Sequence, residues 1–222
     1  MRTLTSESYT IAWFKIADFV ARGEKERALT VHRLLMHSVS EPALSYQLEG
    51  DILLSFDDVS AIDRYHIAAN LYKKAGKIQQ AISIYEHVSA FKEDETIYEA
   101  LFDSYLLIQQ ISSMLDTFSQ LAMICLRNNK KDFLVQLVHK NMIFVNDVTQ
   151  ALLYARFVRA LLLYDEHDFD ITMYVRQTLD LFLDSLKTEN FHVTDMQKFL
   201  SDLKSLNDQE FYKAELYLKQ IK

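Results

Sequence analysis

Apolar residues recur at helical spacing on both sides of Gly76. They stand seven and four residues before it and five, nine and twelve residues after it, at Ala69, Tyr72, Ala81, Tyr85 and Val88. Spacings of three, four and seven place side chains on one face of a helix. A glycine between two such faces marks a turn. The pattern predicts a helical hairpin, with small residues where the helices cross and aromatic residues above and below.

The same set of offsets from a turn residue, here called the repeat frame, occurs around Gly23. Its members there are Phe19, Ala28, His32 and Leu35. A further copy follows at a period of 33, which aligns Tyr72 with Tyr105 and Tyr85 with Phe118. One hairpin cannot bury its apolar face alone, so copies must stack on one another. The pattern predicts a right-handed α-solenoid of stacked antiparallel hairpins.

Helical periodicity and capping residues predict helices along the whole chain. They cover about 8–22, 24–37, 42–56, 60–76, 78–91, 95–108, 112–127, 131–142, 146–164 and 169–186, and two more begin at capping boxes near Thr194 and Asn207. The repeat frame fades after Asn128. Residues 1–127 are therefore expected to form the repeats, and residues 128–222 divergent hairpins and a C-terminal capping bundle continuous with them.

The phase of the repeat stays open around the fourth helix. Asp57 fits the position of a turn glycine, 34 residues after Gly23, but it stands only 19 residues before Gly76. The fourth helix is the second helix of a hairpin in one register and the first helix in the other. The sequence does not choose between these two registers.

Composition supports an all-α fold. The 222 residues are half apolar and include only three glycines and one proline. An all-β or α/β domain of this length needs many more turn residues. The net charge of −7 gives no basic excess for nucleic-acid binding. No apolar run reaches the length of a membrane span, and the N-terminus lacks a signal-peptide core. A cytoplasmic protein with at most peripheral membrane association is expected.

Residues with catalytic or metal-binding chemistry are scattered. The single cysteine, Cys125, has apolar neighbours and is expected to be a buried thiol. Seven histidines form no zinc-protease pattern, and His32 occupies an aromatic position of the repeat frame. The acidic corner 165–170 lacks the spacing of a calcium loop and is explained by a helix end and the next cap. The sequence thus predicts no catalytic site, no metal site and no cofactor.

The repeat frame resembles the tetratricopeptide repeat (TPR), a helical hairpin of about 34 residues. The stretch from Ala68 to Glu86 is the strongest match, and Trp13 and Ala17 fit the first helix of a second repeat with a shortened turn. The resemblance covers about half of the chain and implies architecture rather than a specific function. The residues expected to hold the repeats together are Trp13, Gly23, Ala28, Ala69, Tyr72, Gly76, Ala81 and Tyr85.

Three segments also resemble the soluble attachment proteins of vesicle fusion, the SNAP family. They are residues 72–88, the aromatic helix that ends at Tyr164, and the ending from Phe199 to Lys222. Members of that family bind the SNARE four-helix bundle and recruit a hexameric ATPase in vesicle-mediated transport. The chain is shorter than the family norm. The resemblance implies partner binding by Leu216, Leu218 and Lys219 of the last helix.

The expected function is a non-enzymatic protein–protein adaptor, in its specific form a SNAP-like adaptor of a SNARE bundle and a hexameric ATPase. The alternative is a general TPR scaffold or co-chaperone that binds a peptide segment of a larger complex. An all-α enzyme without a recognisable motif is the least favoured. A SNARE adaptor needs a basic strip along one face, whereas a co-chaperone for a peptide carboxylate needs Lys, Arg and Asn converging in a groove.

Overall fold

A computed structural model of the protein describes residues 6–36, 41–164, 170–187 and 193–221. These ranges contain twelve α-helices and no strand, which confirms the predicted all-α class. Helix ends that the structure describes lie within two residues of their predicted positions. Residue contacts divide the chain into two compact units, Met1–Glu93 and Asp94–Lys222. The predicted boundary at residue 127 falls inside the second unit.

The first unit contains five helices in which chain neighbours pack on one another. They are α1 (Ser6–Ala21), α2 (Lys25–Met36), α3 (Pro42–Leu54), α4 (Ala61–Lys74) and α5 (Ile78–Ser89). Contacts join α1 to α2, α2 to α3, α3 to α4, and α4 to α5. Stacked hairpins require this sequential packing. The right-handed solenoid itself stays a prediction.

The second unit contains seven helices and ends in a bundle. They are α6 (Glu95–Leu107), α7 (Ile111–Arg127), α8 (Lys131–Asn141), α9 (Asp147–Leu163), α10 (Ile171–Ser185), α11 (Val193–Leu206) and α12 (Asp208–Ile221), with a 3₁₀ turn at Met142–Phe144. In the bundle α9 contacts α10 and α11, and α12 contacts the same two helices. Phe157 packs edge-on against Tyr174 in its core, with ring centroids 4.9 Å apart.

Five helices in the described ranges end in the same left-handed turn. Its central residue has a positive φ at Gly23, Asp57, Gly76, Gln109 and Asn129. After α4, the Lys77 N–H donates to the Tyr72 carbonyl at 2.9 Å and the Gly76 N–H donates to the Lys73 carbonyl at 3.0 Å. This pair of bonds is the Schellman motif, which satisfies carbonyls that a helix end leaves unpaired. The turn predicted at Asp57 is therefore present, and α4 has a left-handed turn before it and after it.

The repeat frame continues past Asn128, where the sequence pattern predicts that it fades. Around Asn129 the same offsets hold Cys125, Leu134, Val138 and Asn141, and all four are buried. The turns at Gly23, Gly76 and Asn129 are each 53 residues apart, which is the length of three helices with their connections. The sequence pattern missed this copy because an asparagine replaces the glycine and a cysteine replaces the aromatic residue.

Most residues of the predicted repeat frame are in the core. Ala28, Ala69 and Ala81 are fully buried, and so are Tyr72 and Tyr85 to within a few per cent. Trp13 differs, because 40% of its surface is exposed on α1. The close approach of the helices at the three alanines is what small residues permit.

The structure confirms the predicted caps at Asn146 and Asn207, whereas Thr194 lies inside α11 and Ser60 does not cap α4. Asn146 accepts the Thr149 N–H at 2.9 Å, and Asn207 accepts the Glu210 N–H at 3.0 Å. Ser60 was expected to cap α4, but its side chain makes no cap bond. Its N–H instead donates to Asp58 Oδ1 at 2.9 Å. The turn after α3 continues almost directly into α4, so Asp58 is the acceptor within reach.

We expect Gly76→Ala to lower the free energy of unfolding by about 1 kcal/mol, because an L-residue strains the left-handed backbone. An added Cβ would meet no atom within 4 Å, so packing does not contribute. Gly76→Val is expected to be worse. Gly76→Asn is expected to lower the free energy of unfolding by less than Gly76→Ala does, and Gln109→Gly is expected to raise it. Urea unfolding measures all of these changes. Equal losses for Gly76→Ala and Gly76→Asn would contradict this origin.

His32 is the buried titratable group of the α2–α3 contact. Only 3% of its surface is exposed. Its Nε2 lies 3.0 Å from the Ser45 carbonyl oxygen, so Nε2–H donates, and its Nδ1 is buried without a partner in the described structure. Burial lowers the pKa of His32 below its ordinary value; nearby Arg33 adds to this, while the Ser45 carbonyl and Glu49 oppose it.

We expect the free energy of unfolding to decrease as the pH falls below about 6.5, because the unfolded chain then takes up a proton at residue 32 that the folded chain resists. Urea unfolding followed on either side of that pH measures this slope. His32→Phe should reduce the slope, whereas the control His139→Gln, at an exposed position, should leave it intact. If His32→Phe leaves the pH dependence of the free energy of unfolding unchanged, that dependence comes from other titratable groups.

Candidate protein-binding groove

Two of the three predicted partner-binding residues line one groove. Leu218 and Lys219 lie on α12, on the wall that faces α11. Leu216 does not line this groove, although 42% of its surface is exposed. The reason is helix geometry, since residues two apart on a helix point in nearly opposite directions.

The groove between α11 and α12 is an open space of about 430 Å³ with an apolar floor. Leu200 of α11 and Phe211 and Leu218 of α12 form the floor. The Lys204 ammonium lies 5.4 Å from the centroid of the Phe211 ring, a cation–π arrangement. The remaining lining residues are Gln197, Ser201, Glu215 and Lys219. A surface of this kind can bury apolar side chains of a ligand beside two lysines.

The two helices that line the groove, α11 and α12, are joined by one residue. Asn207 connects the helices, caps α12 through Glu210 N–H, and donates its own N–H to the Leu203 carbonyl at 2.8 Å. Side chains of both helices line the groove.

A neighbouring face of α12 is held against α10. The Glu210 carboxylate is buried and accepts from Thr172 Oγ1 at 2.9 and 3.0 Å and from Lys213 Nζ at 2.6 Å. About two turns further along α12, the Tyr217 hydroxyl donates to Asp180 Oδ1 at 2.6 Å. These bonds fix the rotation of α12 and direct Phe211 and Leu218 into the groove. Sequence reasoning missed them, because a glutamate and a tyrosine on a terminal helix are ordinary surface residues.

A second, smaller cavity of about 190 Å³ lies between α7, α9 and α11. Two arginines of α9 stand at its edge. Arg156 pairs with Asp116 of α7, and Arg159 pairs with Asp202 of α11, each at 3.3 Å. Both pairs are largely exposed and contribute little to stability. Each arginine already has a carboxylate partner, so this pair is not an uncompensated basic strip.

The scattered candidates for chemistry do not converge in the described structure. The described residues contain no group of three His, Cys, Asp or Glu side chains placed to hold a metal ion. Residues 165–169 of the acidic corner lie outside the described residues. Asp170 caps α10 and accepts the Met173 N–H at 3.1 Å. The sequence predicts a helix cap at this end of the corner. Cys125 is fully buried, as predicted.

No protein-family model matches the chain, and comparison with curated proteins finds no match either. The resemblances to the TPR and SNAP families therefore rest on the residues quoted for them. Among the described helices, none has both the length and the apolarity to cross a membrane.

We expect Cys125 to resist thiol reagents in the folded protein. Burial raises the pKa of its thiol to about 12, so little thiolate forms at neutral pH. Reaction with a disulfide reagent, followed by absorbance, should be slow in buffer and complete in urea. Rapid labelling of the folded chain would show that this part of α7 opens readily.

Proposed function

We propose that the protein is a non-enzymatic adaptor that binds an amphipathic helix of a partner protein in the α11/α12 groove. The observation that supports this is the apolar floor of Leu200, Phe211 and Leu218, open to solvent between two helices. Grooves between helices accept a third helix through residues spaced three and four apart. An exposed apolar patch with a polar rim is typical of a protein-binding site.

The rim favours a partner helix with acidic residues beside its apolar face. Lys204 and Lys219 flank the floor, against one acid, Glu215. Charges of this kind contribute mainly to the association rate and to the choice of partner. The apolar contacts supply most of the affinity.

The narrower SNAP-like function stays a prediction. It names a SNARE bundle and a hexameric ATPase as partners and expects a basic strip. Arg156 and Arg159 lie one turn apart on α9, and each is paired with an aspartate. Lys219 is exposed near the end of α12 and lines the groove, which supports a contact there. The identity of the captured partner distinguishes this version from a general scaffold or co-chaperone.

The test places a photo-crosslinking amino acid at Ser201, in the groove, and compares two variants of α12. Leu218→Glu puts a charge on the groove floor, while Leu216→Glu puts the same charge two residues away, outside the groove. We expect the parent chain and Leu216→Glu to give the same crosslinked partner. Leu218→Glu should lose that crosslink. Mass spectrometry identifies the partner and the segment that crosslinks.

Thermal unfolding of both variants serves as the folding control, because loss of α12 packing would also abolish crosslinking. Equal crosslinking in both variants, or none in the parent chain, would contradict a binding role for this groove. SNARE proteins together with a hexameric ATPase would support the narrower function. A chaperone or another complex would leave the adaptor function and exclude the SNAP-like one.

A further inference from the structure

The first compact unit has a recess of about 250 Å³ between α3 and α5, with Tyr65 of α4 behind it and Ile84 of α5 as its apolar lining residue. Its polar lining residues are Gln47 and Asp51 from α3, Tyr65 from α4, and Gln80, Ser83 and His87 from α5. This lining contains one carboxylate, no lysine or arginine, and one imidazole, His87, whose Nε2 lies 3.4 Å from the Tyr65 hydroxyl. It differs in chemistry from the apolar α11/α12 groove, and the proposed function does not use it.

Two buried tyrosines of α4 hold the α3 wall of the recess in place. The Tyr65 hydroxyl donates to Asp51 Oδ1 at 2.7 Å, and the Tyr72 hydroxyl donates to Gln47 Oε1 at 3.3 Å. The Tyr65 side chain is almost completely buried, and burial together with Asp51 raises its pKa, so it stays a neutral donor. Hydrogen bonds from α4 therefore hold the side chains of Asp51 and Gln47 in one orientation.

Gly50 makes room for this arrangement. A Cβ at residue 50 would lie 2.9 Å from Cε1 of the Tyr65 ring, closer than carbon atoms approach. The glycine lies inside α3, where it costs stability relative to alanine. Its position lets the Tyr65 ring pass behind α3 and reach Asp51.

The fixed side chains keep bonding capacity on the side of the recess. An ionised carboxylate accepts several hydrogen bonds, so Asp51 can accept from a cation while it holds Tyr65. The Gln47 amide accepts from Tyr72 through its oxygen, which leaves its NH₂ group as a donor. Gln80 of α5, which is exposed, lines the same recess and carries another amide. Two amides that line one recess can serve the donor and the acceptor of a peptide group.

We propose that this recess binds an extended segment of a partner protein that carries a lysine or arginine side chain. The cation pairs with Asp51, and the main chain beside it bonds to the amides of Gln47 and Gln80. A carboxylate at the same place would be repelled by Asp51 and would meet no lysine or arginine. The recess therefore selects a basic residue and not the C-terminal carboxylate that a co-chaperone groove holds.

The test uses the full chain, labelled with ¹⁵N, and N-acetyl-arginine-N-methylamide, which combines one basic side chain with two peptide groups. We expect saturable amide shifts at residues 47–51 and 80–87, with a Kd on the order of millimolar for so small a ligand. N-acetyl-glutamate-N-methylamide should not bind. Asp51→Asn should weaken binding of the arginine compound about fivefold.

Tyr65→Phe tests the positioning role, because it removes the hydroxyl and keeps the Asp51 charge. We expect weaker binding with the preference for arginine over glutamate retained. Tyr85→Phe is the matched control, since the Tyr85 hydroxyl bonds to Asn70 at 3.5 Å and does not line the recess. That control should bind as the parent chain does.

Absence of saturable shifts, or equal binding of the arginine and glutamate compounds, would overturn the proposal. n-Butylguanidine carries the guanidinium without peptide groups and without a second charge, and its binding as tightly as the capped arginine would overturn the main-chain contacts. Leu218→Glu should bind the capped arginine normally. Failure of this recess and failure of the α11/α12 groove are therefore distinguishable.

Discussion

The left-handed turn at the helix ends is the constraint on which the rest of the structure depends. In each copy, the residue four before the turn residue gives its carbonyl to the amide that follows the turn, as Tyr72 does for Lys77. That residue is buried at four of the five turns in the described ranges. The exception is Phe19, which is half-buried. The two hydrogen bonds of this motif therefore end the helix and satisfy its last carbonyls. The residues five, nine and twelve positions after the turn residue lie on the helix that follows.

Much of the fold could be predicted from the sequence because helix formation depends on local signals. The turns at Gly23 and Gly76 were predictable, since glycine is the residue that most readily adopts a positive φ. Asn129 was missed, because an asparagine in this conformation cannot be told from a solvated loop residue. Trp13 was expected in the repeat core by analogy of position, but α1 turns much of it toward solvent.

The candidate sites were harder to predict because they depend on contacts between helices. Leu216, Leu218 and Lys219 were expected to bind a partner, and that role stays a prediction. Leu218 and Lys219 line the α11/α12 groove, whereas Leu216 does not. The recess of the first unit gave no sequence signal. Gln47 and Asp51 look like a solvated helix face, and the tyrosines that orient them look like ordinary core residues. Only the distances from the hydroxyl groups show that the wall is organised.

The one-residue corner at Asn207 links the α11/α12 groove to the packing of the last helix. The angle between the two helices is set by very few backbone torsions, and the Asn207 side chain holds them through the Glu210 N–H. Glu210 is also the residue that anchors α12 to α10. A ligand that pushes the helices apart would therefore pull on the cap and on the α10 anchor at the same time. The width of the groove and the docking of the last helix are thus mechanically linked.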